Sequence, residues 1–248
     1  MISEAQEEQF RELGYFVAEG NFAPGLLQAM SEEMDRVYKE HLAQARAGSD
    51  AAVVEAVRNR RSFGQFHLLS PVAAQFVREP IYLEACRRFV GPDADLYYNQ
   101  AATKPPERGR IFSWHQDSGY VHTEPLEYLT CWTAITDSTL ENGCIWIIPG
   151  SHKWGLLEHV QETETAEQYA GKTAQFADES GAIPVEMRAG EVAVFSSLML
   201  HKSGANTSAH SVRRGYVPQY HVPHLIAKHT GQPWGDQVPV LRVGVRVD

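Results

Sequence analysis

The 248 residues read as a mainly β fold supported by N-terminal helices, with the strands closing into a sandwich or a barrel. Two features predict this. Up to residue 94, apolar side chains recur every three to four positions, the period of a helix; from residue 95 onward they alternate in short runs separated by turns, the period of a strand. Hydrophobic residues make up 43% and charged residues 21%, the balance of a globular domain with a full core. One domain over 1–248 is therefore expected, with 1–94 as helical support and 95–248 as the β core.

Each element has a local cause. Ser3 caps a first helix that carries Phe10 and Leu13 and ends at Gly14. Pro24 opens a longer helix, in which Leu26, Leu27, Met30, Met34, Val37 and Tyr38 form one apolar stripe up to about Gly48. A less regular stretch over 49–70, with Arg58, Arg60, Arg61 and His67, precedes a helix over 71–90 that Gly91-Pro92 stops. Strands are expected in DLYYNQAATK, RIFSWHQ, EYLTCWTAIT, CIWIIP, AIPVEMR, EVAVFSS and RRGYVPQYHV. The polar stretch over 156–182 is too long for a simple hairpin turn and is expected to form a lid.

Charge narrows the partners. The chain has 22 Lys plus Arg against 31 Asp plus Glu, a net charge of −9, so nucleic acid and anionic membranes are poor partners. The opening MISEAQEEQF is acidic where a secretion signal is basic, and no apolar run approaches the roughly 20 residues of a membrane span. Cys86, Cys131 and Cys144 are odd in number and lack C-x-x-C spacing, which fits buried apolar residues in a reducing, cytoplasmic setting.

The chemistry starts at WHQD, residues 114–117. On an extended strand, His115 and Asp117 point to the same face. The run GEVAVFSSLMLHKSGANTS delivers His201 at its end, and Arg213-Arg214 follow in the next strand. Two histidines and one carboxylate on one face of a β-barrel form the triad that holds non-haem Fe(II) and leaves three positions open. A 2-oxo acid fills two of them and dioxygen the third; the far carboxylate of such a cosubstrate needs a fixed cation, for which a guanidinium offers a matching planar fork.

These blocks carry a resemblance. FRELGYFVAEGNF, KPP, WHQD, ENGCIWIIPGSH, GEVAVFSSLMLHKSGANTS and RRGYVPQY, in that order and nearly end to end, resemble the phytanoyl-CoA dioxygenase family of Fe(II)/2-oxoglutarate oxygenases. The resemblance implies a double-stranded β-helix, a jelly-roll of cupin type. It also implies that His115, Asp117 and His201 bind iron, that Arg213 grips the far carboxylate of 2-oxoglutarate with help from Ser203, and that Trp132 lines the cosubstrate pocket, with Gln100 and Lys104 nearby. The implied reaction converts 2-oxoglutarate and O2 to succinate and CO2 while hydroxylating or otherwise oxidising a C–H bond of a small organic substrate, the small-molecule partner expected here. Asp117 argues against halogenation, because halogenases of the family have a small residue there. One residue more than the usual spacing separates Asn206 from the arginine pair, which leaves Arg214 as the alternative; counting back seven residues from Tyr220 selects Arg213.

The remaining striking residues have structural explanations. Asn142-Gly143 and Pro149-Gly150 are turn chemistry. His152, His210, His221, His224 and His229 are read as structural or surface histidines, and Trp146, Trp154 and Trp234 as packing. Two rival functions use the same ligands: a zinc hydrolase, which lacks an evident Glu base and gives Arg213 no task, and a non-catalytic metabolite-binding barrel.

Overall fold

The structure, a computed structural model, describes all residues except 49, 52, 55–56, 58–61, 107–109, 166–167 and 236. The arginine cluster Arg58, Arg60 and Arg61 therefore lies outside the described residues. Helices are α1 (Glu4–Leu13), α2 (Leu26–Gly48), α3 (Pro71–Phe76) and α4 (Pro80–Ala85). Strands follow as β1 (Tyr15–Glu19), β2 (Ser62–Gly64), β3 (Ala94–Lys104), β4 (Phe112–His115), β5 (Thr123–Glu124), β6 (Leu129–Ala134), β7 (Ile145–Ile147), β8 (His159–Glu162) and β9 (Gly171–Ala174). The chain closes with β10 (Ile183–Val185), β11 (Glu191–Ser196), β12 (His201–Ser203), β13 (Arg213–His221), β14 (Ile226–Ala227), β15 (Gln232–Pro233), β16 (Val238–Arg242) and β17 (Val245–Arg246).

Two antiparallel sheets make the barrel. The larger runs β1-β11-β6-β13-β3-β16-β17 with β2 paired to β3, and the smaller runs β10-β7-β12-β4. Between them lie Trp132, Ile145, Ile147, Phe195, Met199 and Val217. The outer face of the larger sheet is covered by the helices, through Met30, Met34 and Val37 of α2 and Phe76 and Tyr82 of α3 and α4. The architecture is the mainly β jelly-roll with N-terminal helices that the alternation and the resemblance led one to expect. Among the described residues, no helix is long and apolar enough to cross a membrane.

The N-terminal region departs from the sequence reading in two ways. YFVAE is not helical; α1 stops at Gly14, whose φ of +81° suits glycine, and the chain continues as edge strand β1 against β11, pairing Tyr15 with Phe195. The expected helix over 71–90 is broken: Pro80 lacks an N–H and clashes with the preceding turn, so α3 ends at Phe76 and α4 restarts with Pro80 in its first turn. The α1 cap is as expected, a reciprocal box between Ser3 and Gln6.

The stretch over 156–182 has structure of its own. Strands β8 and β9 pair as an antiparallel ribbon, His159 opposite Ala174, and Tyr169 N–H donates to the Ile111 carbonyl at 3.0 Å, pinning the ribbon beside β4.

Candidate metal and cosubstrate site

His115 and His201 sit opposite each other on β4 and β12. Gln116 remains extended (φ −109°, ψ 138°), so Asp117 still points to the face of His115 although it already begins a 3₁₀ turn over Asp117–Gly119. The result is one cluster whose ligand atoms lie within 4.8 Å of one another. Asp117 Oδ1 is 3.8 Å from His115 Nε2 and 3.7 Å from His201 Nε2, beyond hydrogen-bonding distance but correct for three atoms converging on one ion.

The surroundings fix the tautomers. His115 Nδ1 lies 2.8 Å from the Ser113 carbonyl and His201 Nδ1 lies 3.0 Å from the Met199 carbonyl. A carbonyl only accepts, so each Nδ1 carries the proton and each Nε2 offers its lone pair to the cluster. Burial, reinforced by the neighbouring His201, pushes His115 well below the usual histidine range, which keeps that lone pair available at neutral pH. On the other side, the Thr130 hydroxyl donates to Asp117 Oδ2 at 2.6 Å.

These ligands line a cavity of about 630 Å³. All eight residues singled out in the sequence, His115, Asp117, His201, Arg213, Ser203, Trp132, Gln100 and Lys104, lie on its wall. Residues the sequence reading did not single out also line it, among them Phe112, Thr130 and Val217 from strands and Glu164, Tyr169 and Ala170 from the β8–β9 connection.

The arginine register is resolved by what each side chain touches. Arg213 is 3% exposed, lines the cavity and stacks its guanidinium 5.2 Å from the Trp132 ring centroid. Room for that indole comes from Gly215, where an added Cβ would lie 2.5 Å from Trp132. Arg214 points the opposite way and pairs with Asp35 of α2 at 2.8 Å. This pair is partly buried under the helix.

Arg213 Nε is buried without a hydrogen-bond partner, and among the described residues no carboxylate pairs with this guanidinium. Burial lowers its pKa to about 10, so it is still charged at neutral pH. A buried cation without an acceptor is unfavourable unless a ligand supplies one, which fits a carboxylate in the cavity. Lys104, beside Arg213 on β3, differs: its Nζ donates to the carbonyls of Arg110 and Ser203, each at 3.2 Å, and to that of Gly204. Burial, followed by Arg213, holds Lys104 well below the usual lysine range. Thr130, which touches Asp117, and Trp132, beneath Arg213, are alternate residues of β6, about 7 Å apart along the strand. The metal cluster and the unpaired guanidinium are thus one strand repeat apart on one wall.

A metal-binding triad and a buried, unpaired cation inside a double-stranded β-helix define a class, the non-haem iron oxygenases that use a 2-oxo acid. Residues 10–215 match the phytanoyl-CoA dioxygenase (PhyH) family, and the chain belongs to that family of Fe(II)/2-oxoglutarate-dependent oxygenases. An ectoine dioxygenase of Bordetella parapertussis is 25% identical over 223 residues, 84% of this chain and 71% of that protein. The non-heme monooxygenase ThoJ superposes with a TM-score of 0.69 at 26% identity, covering 90% of this chain and 79% of its own. The carbocyclase SnoK from nogalamycin biosynthesis superposes with a TM-score of 0.71 over 97% of this chain and 96% of its own, but at 19% identity it speaks only for the fold.

Proposed function

We propose that this chain is a hydroxylase-type Fe(II)/2-oxoglutarate-dependent dioxygenase that converts 2-oxoglutarate, O2 and a small organic substrate R–H into succinate, CO2 and R–OH. One observation carries the reading: the unpaired guanidinium of Arg213 shares a cavity wall with the His115, Asp117, His201 cluster. A zinc hydrolase gives Arg213 no task. Glu164, the cavity's other carboxylate among the described residues, is already paired with Arg110, so no free general base stands near the cluster.

The division of labour follows from the geometry. His115 Nε2, His201 Nε2 and Asp117 Oδ1 hold the iron, which, when bound, supplies the activation of dioxygen coupled to oxidative decarboxylation of the cosubstrate. Arg213 takes the far carboxylate of 2-oxoglutarate through a bidentate, charge-assisted pair. Trp132 sets the plane of the guanidinium, and Ser203, from the strand that carries His201, adds a hydroxyl to the subsite. Lys104 ties β3 to the ends of β4 and β12 through its hydrogen bonds to the carbonyls of Arg110, Ser203 and Gly204.

The substrate shares the cavity with Gln100, Phe112 and, from the β8–β9 connection, Glu164, Tyr169 and Ala170. This connection acts as the lid that excludes water from the reacting centre. A cavity of this size accommodates a small metabolite beside the cosubstrate. The Asp117 carboxylate occupies the place that a halide would need, which favours hydroxylation. Three buried, unpaired thiols suit a reducing compartment, the cytoplasm.

The deciding experiment measures succinate formed from 2-oxoglutarate with Fe(II), with Zn(II) and with no metal, across a panel of candidate metabolites. Iron-dependent succinate that a metabolite stimulates supports the proposal. Zinc-supported hydrolysis that needs no 2-oxoglutarate would overturn it.

A further inference from the structure

The three ligands are not held alike. Each histidine belongs to a strand and has its far ring nitrogen bonded to a carbonyl two residues earlier in the chain. Asp117 lies on a 3₁₀ turn, where the main chain is anchored through Ser118: its N–H donates to the Ser197 carbonyl at 3.1 Å, and its hydroxyl bonds the Leu126 carbonyl at 2.8 Å and the Ser197 hydroxyl at 2.7 Å. Those contacts fix the turn but leave the carboxylate free to rotate. Its orientation comes from elsewhere, from the larger sheet.

Thr130 on β6 and Gln219 on β13 are register partners. Thr130 Oγ1 lies 2.6 Å from Asp117 Oδ2, and Gln219 Nε2 lies 3.3 Å from Thr130 Oγ1. A carboxylate oxygen only accepts and an amide NH2 only donates, so the hydroxyl has one consistent role: the chain runs from Gln219 through Thr130 to Asp117. Thr130 is 0% exposed and Gln219 5%, so the relay lies out of contact with bulk water. The opposite oxygen, Oδ1, is the one that faces both Nε2 atoms.

We propose that Thr130, oriented by Gln219, is a positioning residue that makes Asp117 a one-oxygen metal ligand. Resting on the function proposed above, this assigns a purpose to the relay. A carboxylate that swung both oxygens onto the ion would take one of the three positions that the cosubstrate and dioxygen require. The hydroxyl prevents this by engaging Oδ2, much as partners of metal ligands elsewhere set ligand geometry.

The test uses Co(II) as a spectroscopic stand-in, titrated anaerobically into metal-free full-length protein and followed by calorimetry and by the visible absorption that reports coordination number. Thr130→Val, which keeps the shape and removes the hydroxyl, is expected to bind Co(II) about 10- to 100-fold more weakly and to change its spectrum. Thr130→Ser restores the hydroxyl and is expected to return affinity to within about threefold of the native protein, by the same reasoning. Gln219→Leu should fall between, and it carries the test if Thr130→Val does not fold by circular dichroism. Native affinity and spectrum in Thr130→Val, or in Gln219→Leu where that variant carries the test, overturn the inference, as does a Thr130→Ser variant as impaired as Thr130→Val. If instead the native protein binds Co(II) no better than His201→Ala, the metal site itself is misassigned, a failure distinct from that of the relay alone.

Discussion

Arg213 and Arg214 are consecutive on β13, and the two faces of the sheet treat them differently. Outside, the large polar side chains near them find partners within the protein: Arg214 closes on Asp35, Tyr82 meets the Thr133 hydroxyl at 2.5 Å, Tyr216 donates to Asn99 Oδ1 at 2.9 Å and Tyr220 to the Val77 carbonyl at 2.6 Å. Inside, no carboxylate among the described residues pairs with Arg213, and the cluster's ligand atoms are held apart, 3.7 to 3.8 Å from Asp117 Oδ1. The outer face is closed by helices, and an acidic side chain of one of them pairs with Arg214; the inner face gives Arg213 no carboxylate partner among the described residues, as the proposed function expects of a group that a ligand completes. Stability and chemistry are thus assigned to opposite faces of one sheet, and substitutions on the two faces should separate them.

The largest effect is expected at the cluster. His201→Ala should abolish Fe(II)-dependent succinate formation while leaving the melting temperature of the metal-free protein within a few degrees of native, because the strand around it keeps its own core. Turnover near the native level in this variant, measured with iron present, would break the separation at its strongest point.

Next in size is an outer-face change. Phe76 is fully buried, stacked on Phe22 with ring centroids 4.8 Å apart and set edge-on to Tyr216 at 5.5 Å. Phe76→Ala should lower unfolding stability by about 3–5 kcal/mol. At temperatures where it remains folded, its Michaelis constant for 2-oxoglutarate should match the native value. A large rise in that constant without loss of stability would mean that the faces are coupled.

How far the sequence reached follows the same division. His115 and Asp117 could be paired from a spacing of two because that inference needs only local backbone, and Gln116 indeed stays extended. Trp132 was reached only through the family resemblance, which implies a pocket-lining tryptophan in the CWTAI strand. Thr130 lies on the same face two residues earlier, but its role depends on Gln219, 89 residues away, and on a carboxylate delivered by another sheet. The partner of Arg214 is 179 residues distant, so only the count of seven residues back from Tyr220, which the resemblance supplied, favoured Arg213 over its neighbour. Strand β1 went unrecognised because five residues between helices carry little periodicity, and their partner β11 begins at Glu191. The β8–β9 ribbon was hidden by its polar composition, since little of it is buried and alternation has nothing to mark.

The third prediction tests the inner arginine. Arg213→Ala removes a buried, charge-assisted bidentate partner and leaves the far carboxylate of 2-oxoglutarate without a donor. The apparent Michaelis constant for 2-oxoglutarate should rise about 100-fold or more, equivalent to about 2.8 kcal/mol at 1.4 kcal/mol per tenfold. Stability should hold or rise slightly, since an unpaired buried cation is removed. A simultaneous collapse of stability would show that Arg213 is a structural residue.

The smallest effects belong to Arg214, and they bear most directly on the comparison. Its guanidinium meets Asp35 at 2.8 Å, but its side chain is 16% exposed and that of Asp35 48%, so solvent screens much of the attraction. Its Nε is buried without a partner, so part of what the ion pair contributes is already offset. Arg214→Ala should therefore cost about 1 kcal/mol of stability or less, as for a partly exposed pair. It should change the Michaelis constant for 2-oxoglutarate by less than about fivefold, because Arg214 faces α2 and does not line the cavity. Urea unfolding and steady-state kinetics on both arginine variants, side by side, check this. If Arg214→Ala raised the constant as much as Arg213→Ala, the register of β13 would have to be shifted by one residue. Such a shift would turn Tyr216 and Tyr220 out of the helix-covered core, a cost of several kcal/mol that their full burial and hydrogen bonds oppose.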